Sequence, residues 1–111
     1  MEQKEKWLHK IRKLAPILRD AENSVFVSEA KLKKRLAELK IEATAEGCRT
    51  VSAQEIYAEN NNEIFLLRLN LAKHKGLLIG YKTELKALEI GFEEWRTNMV
   101  NFREEKKRYG A

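Results

Sequence analysis

The chain has 111 residues, enough for one ordinary domain; 43% are hydrophobic, 35% are charged, and there are five glycines and one proline. That balance favours long helices over a sheet-rich or loop-rich fold, and the basic excess (22 Lys and Arg against 17 Asp and Glu) permits a nucleic-acid or acidic partner without requiring one. A single cysteine, Cys48, excludes an internal disulfide framework and a Cys-based zinc site.

The first helical region is expected over residues 3–46. Ile11, Leu18, Val25, Leu32 and Leu39 are spaced by seven, and Leu8, Leu36 and Ala43 extend the same face. Two features predict a kink or break between Pro16 and Ser28. Proline removes a helical hydrogen bond and crowds the preceding turn. Asn23-Ser24-Val25-Phe26-Val27-Ser28 is poor helix material, and Ser24 or Ser28 could cap a new start.

A connection follows at 47–52. Gly47 is placed to end a helix in the left-handed region, and Ser52-Ala53-Gln54-Glu55 has the pattern of a capping box. A short link between long helices makes them antiparallel neighbours.

One long helix is expected over 53–109, roughly 80 Å at about 1.5 Å per residue. Tyr57, Ile64, Leu71, Leu78, Leu85, Phe92 and Met99 recur every seven residues. Leu67, Tyr81, Leu88, Trp95, Phe102 and Tyr109 occupy the second seam position, and only Asn60, His74 and Lys106 interrupt the seam. A 3-4 repeat of this length is a coiled-coil pattern. A second face is apolar too: Phe65, Leu66, Leu69, Ala72, Ile79, Ala87 and Ile90, with Ala72, Gly76 and Gly80 repeating every four residues. Small residues at that spacing let another backbone come close. A helix apolar on two faces needs more than one partner. The fold expected is therefore a single all-α domain, a long antiparallel helical hairpin with coiled-coil heptads that assembles into an oligomeric bundle. Phe65, Leu69, Ala72, Gly76, Ile79 and Gly80 would form the oligomer interface.

No catalytic constellation is present. His9 and His74 stand in no metal-ligand spacing; a seam histidine, like Asn60, serves more readily to set register. Cys48 has only Arg49 beside it to lower its pKa. Glu93-Glu94 and Glu104-Glu105 read as solvated helix surface. No glycine-rich phosphate loop exists. The chain is expected not to be an enzyme and to use no cofactor, metal or small-molecule substrate. The apolar stretch Ile64–Tyr81 contains Arg68, Lys73 and Lys75, which argues against a membrane span. The free thiol and the absence of a signal-peptide pattern point to the cytoplasm.

The basic residues have order. Arg68, Lys75, Lys82, Arg96 and Arg103 share one heptad position beside the seam, with Glu89 the exception. Such a stripe can follow a phosphate backbone; the ordinary alternative is that seam-flanking charges pair with acidic residues on a neighbouring helix. Lys33 and Lys34 on the first helix, and Lys107 and Arg108 near the C-terminus, could add phosphate contacts. Base stacking on Tyr109, Trp7 or Tyr57 is a further option.

The stretch Leu77 to Tyr109, LLIGYKTELKALEIGFEEWRTNMVNFREEKKRY, resembles the terminal helix of small phage recombination-mediator proteins of the UvsY type, chiefly through Leu85-Lys86-Ala87-Leu88-Glu89 and Asn98-Met99-Val100-Asn101-Phe102-Arg103. The likeness covers less than half the chain. It implies an oligomer that binds single-stranded DNA and works with a recombinase or a single-stranded DNA-binding protein in a bacterial or phage-infected cell. The leading expectation is thus an oligomeric nucleic-acid-binding accessory protein. The rival is a helical interaction or assembly module (a structural coiled coil, an assembly chaperone or an inhibitor) with no nucleic-acid role.

Overall fold

A computed structural model describes residues 2–109. These residues form three α-helices and no strand: α1 (Gln3–Ala45), α2 (Val51–Glu59) and α3 (Asn62–Arg108). The chain divides into two packing units. Unit 1 comprises Met1–Leu18 and Gly80–Ala111; unit 2 comprises Arg19–Ile79.

Of the kink or break expected in the first helical region, α1 shows no break: it is one helix through Pro16 and through Asn23–Ser28. Pro16 and Arg12 are both exposed, so the Arg12 carbonyl that loses its helical donor lies where water can reach it. The Ser24 hydroxyl donates to the Asp20 carbonyl at 3.0 Å, a bond made inside the helix rather than at a new cap. Val25 and Ser28 in this stretch are buried on the seam, and that packing outweighs weak local propensity.

Gly47 ends α1 as expected. It has φ +96°, a region that side chains with a Cβ rarely adopt. The Cys48 N–H donates to the Ala43 carbonyl at 2.9 Å and the Gly47 N–H to the Thr44 carbonyl at 3.2 Å. This pair of bonds is the Schellman closure, and it satisfies carbonyls that α1 leaves open.

The next start is two residues earlier than the capping-box reading placed it. Thr50, not Ser52, is the N-cap, and its Oγ1 accepts from the Ala53 N–H at 3.1 Å. The long helix expected over 53–109 is also two helices. Asn60 is the exposed C-cap of α2 rather than a seam residue. The Asn61 Oδ1 accepts from the Glu63 N–H at 2.8 Å and opens α3. Two adjacent asparagines thus end one helix and start the next: the Asn60 backbone N–H closes α2 on the Ile56 and Ala58 carbonyls, and the Asn61 side chain satisfies a backbone N–H at the start of α3.

In unit 2, α1 and α3 run antiparallel with α2 between them in sequence. Arg35 bonds Glu63 while Ser28, earlier on α1, meets Asn70, later on α3. The core is Leu32, Leu39, Ala58 and Ile64, with Leu36, Tyr57, Leu67 and Leu71 packed around it. Leu39 and Ile64 are wholly buried. The Gln54 Nε2 donates to Thr44 Oγ1 and to the Cys48 carbonyl, both at 3.2 Å, tying α2 to the end of α1.

In unit 1, the first turns of α1 pack with the last third of α3. Leu14 is its one buried large side chain among the described residues. Trp7 lies over Gly91 so closely that a Cβ there would come within 2.7 Å of the indole Cη2. On α3, Tyr81, Leu85, Leu88, Phe92, Trp95 and Met99 are half-buried, as the seam predicts. The seam then fails: Phe102, Lys106 and Tyr109 are exposed.

Candidate functional site

The heptad position beside the α3 seam forms a basic edge, since residues seven apart return to nearly the same side of a helix. All five predicted members, Arg68, Lys75, Lys82, Arg96 and Arg103, are exposed. They fall into two groups by partner. In unit 2 both members are engaged: Arg68 pairs with Glu59 of α2, and the Lys75 Nζ lies 3.8 Å from Glu29 of α1. In unit 1, Arg96 pairs with Glu93 one turn away at 3.2 Å and its guanidinium sits 5.8 Å from the centre of the Phe92 ring. Lys82 and Arg103 have no ion-pair partner among the described residues. The same holds for Lys33, Lys34, Lys107 and Arg108, all exposed.

The exposed pairs are weakly held. Their carboxylates and ammonium groups stay in water, where such pairs are worth about 0–1 kcal/mol. They remain available to a competing phosphate, but each phosphate contact must first displace a carboxylate.

Charge divides unevenly between the units. Unit 1 carries twelve basic and eight acidic side chains; unit 2 carries ten and nine. The excess that makes the chain basic therefore lies mostly in unit 1, where fewer ion pairs occupy it. At the end of α3 the basic side chains stand beside exposed aromatics: the Lys106 Nζ sits 5.0 Å from the centre of the Phe102 ring, and Tyr109 is 76% exposed. Of the stacking candidates, Tyr109 alone is open. Tyr57 packs against the unit 2 core, and Trp7 covers Gly91.

The second apolar face of α3 is on the surface. Phe65, Leu69 and Ile79 are 57%, 52% and 65% exposed, and Ala72, Gly76 and Gly80 are exposed with them. A Cβ added at Gly76 or Gly80 would meet nothing within 4 Å. The glycines are thus not needed for packing inside the chain, in contrast to Gly91. His74 is half-buried on the seam.

Sequence reasoning missed three features. Arg35, inside a Lys-rich run, is committed to structure: its Nε donates to Glu63 at 2.7 Å and its Nη1 to Glu38 at 3.1 Å. The hydrogen bond with Glu63, and then that with Glu38, holds the guanidinium above its ordinary pKa. The Trp7–Gly91 contact had a faint signal, a glycine one residue from a seam position. The outward face of α2 had none until Asn60 and Asn61 set α2 apart as a helix.

Among the described residues no cluster of His, Cys, Asp or Glu could hold a metal ion, and no helix is long and apolar enough to cross a membrane. Compared with known proteins, the chain matches no family model, no curated sequence and no solved structure.

Proposed function

We propose that this chain is an oligomeric helical nucleic-acid-binding accessory protein, acting on single-stranded DNA in the cytoplasm as a recombination mediator does. The observation that carries the reading is the set of basic side chains in unit 1 that no ion pair occupies among the described residues. Lys82, Arg103, Lys107 and Arg108 are exposed, form no ion pair among the described residues, and lie in the unit that holds most of the excess charge. Exposed Phe102 and Tyr109 beside them supply faces on which unpaired bases can stack, which favours single strands over duplex. The resemblance of 77–109 to recombination mediators covers this same stretch and names the partners to look for, a recombinase or a single-stranded DNA-binding protein.

The rival, an assembly module with no nucleic-acid role, is favoured by one observation of its own. Arg68 and Lys75 are occupied by Glu59 and Glu29, as seam-flanking charges in a purely structural bundle would be.

Fluorescence anisotropy with labelled single-stranded and duplex DNA, at low and near-physiological salt, separates the two. Binding should prefer the single strand and weaken as salt rises. Changing Lys82, Arg103, Lys107 and Arg108 together to Ala should weaken it on the order of tenfold and lower the salt slope by about 0.7 for each phosphate no longer neutralised. Changing Arg68 and Lys75 to Ala should alter the slope less. No binding at low salt, where screening is weakest, would leave the assembly module as the reading to pursue.

A further inference from the structure

The outer faces of the two long helices share one spacing and carry opposite charge. On α1, Val27, Ala30, Lys34, Ala37 and Ile41 recur at intervals of three and four, on the side away from buried Val25, Leu32 and Leu39, and all five are exposed. Phe26, 67% exposed, and Lys33 lie beside them. On α3, Ala87, Ile90, Glu94, Thr97 and Asn101 recur at the same intervals, away from half-buried Leu88, Phe92 and Trp95. They too are exposed, with exposed Val100 beside them. The first face lies wholly in unit 2 and the second wholly in unit 1.

The charge that counts is what remains after the pairs within the chain are made. From Phe26 to Ile41 there are five basic side chains and two acidic ones. Both carboxylates are engaged, Glu29 by Lys75 and Glu38 by Arg35. Arg35 is taken in turn, while Lys31, Lys33, Lys34 and Lys40 form no ion pair among the described residues. From Ala87 to Asn101 there are three acidic side chains and one basic. Arg96 pairs with Glu93, while Glu89 and Glu94 form no ion pair among the described residues.

We infer that these two faces bind each other between copies: the lysine face of α1 on one chain seats on the glutamate face of α3 on the next. The inference rests on the oligomeric state proposed above and specifies its contact. Lys34 stands at the middle of one face and Glu94 at the middle of the other, so the two meet whichever way the helices run. Run antiparallel, the faces also set Ile41 on Ala87 and Ile90 on Ala37, large against small, which is how helices interlock. Other pairings between copies lack this match. Two α1 faces would bring Lys33 and Lys34 of both chains together, and juxtaposed like charges oppose association. The outer face of α3 in unit 2 offers α1 only another cation, Lys73, and from Ile64 to Ile79 no acidic side chain. Because the two faces differ, the contact is heterologous and passes from chain to chain until it closes or runs on.

Lys34 and Glu94 are the residues to test. Light scattering coupled to size exclusion, on nucleic-acid-free full-length protein across concentration and salt, reads the assembly; circular dichroism checks that each variant is folded. The wild type should associate as concentration rises and dissociate as salt rises, because exposed charges are screened. Lys34→Glu and Glu94→Lys should each weaken assembly about tenfold, since a like-charged pair replaces an opposite one. Mixing the two single variants should restore it: Glu at 34 on one chain then meets Lys at 94 on the other, and the remaining faces are wild type. An intrachain role for either residue could not be rescued by mixing. Assembly that ignores both substitutions, or that tightens with salt, overturns the contact while leaving an oligomer in place. A Lys34→Glu protein that assembles as the wild type does but binds labelled single-stranded DNA more weakly also overturns it, and gives the α1 face to phosphates instead. A wild type that stays monomeric at every concentration overturns the contact and the oligomeric state together.

Discussion

Units 1 and 2 are built from the same two long helices, yet they bury different amounts of themselves. In unit 2 the seam closes on Leu32, Leu39, Ala58 and Ile64, and α2 adds a third helix over one end. In unit 1 Leu14 is the one buried large side chain among the described residues, and Trp7 lies close over Gly91. The ion pairs follow the same division. Among the described residues, those joining different helices, Arg35 with Glu63, Arg68 with Glu59 and Lys75 with Glu29, are all in unit 2. The difference teaches that a heptad pattern measures readiness to pack, not packing achieved. Two helices supply one seam; a third is needed before residues on that seam reach full burial.

The strongest way to break this comparison is to cut into both cores. Leu39→Ala in unit 2 should cost about 2–5 kcal/mol in urea denaturation, because a wholly buried leucine leaves a cavity its neighbours fill only in part. Leu14→Ala should fall near or below the low end of that range, since its surroundings are half-open and can relax or admit water. Equal costs would mean that unit 1 is as tightly packed as unit 2.

Glycines sharpen the contrast at the next scale. Gly76→Ala should stabilise dilute, unassembled protein by about 1 kcal/mol, the ordinary helix-propensity gain, because nothing lies within reach of the new methyl group. Gly91→Ala carries the same gain but drives the methyl into the Trp7 ring. Overpacking of this kind costs about 1–3 kcal/mol, so this variant should be less stable than Gly76→Ala by at least about 1 kcal/mol, with a changed near-ultraviolet dichroism from the displaced indole. Matching thermal stabilities would mean that Trp7 does not hold its place over Gly91.

The smallest effect concerns the cap of α2. Thr50→Ala should cost about 1 kcal/mol, while Ser52→Ala, two positions too late to cap, should be close to neutral. The reverse order would restore the capping box at Ser52.

These distinctions mark how far the sequence can be read. The seam through Ile11, Leu18, Val25, Leu32 and Leu39 and the stop at Gly47 are legible because both depend on local geometry, a seven-residue spacing and a left-handed backbone. Pro16 predicts a kink or a break, and no break occurs, because the cost of an interior proline depends on whether the freed carbonyl meets water. Asn60 hides a break that does occur, since the heptad runs through it and only the bond from Asn61 to the Glu63 backbone shows why the chain stops there. The basic edge is legible as a row of positions. Which of its members are occupied is not, for Glu29 and Glu59 reach it from other helices, and that reach is a property of the packed unit.

Helix α2 has nine residues, fewer than a helix in water needs to persist alone. It is held by Tyr57 and Ala58 against the core and by Gln54 against the end of α1. Its outward face, with Ser52, Glu55, Ile56 and Glu59 around one shallow depression, therefore exists only after those inward contacts have formed. A nascent or partly opened chain cannot display it. Order in space becomes order in time: unit 2 must close before α2 has an outward surface at all.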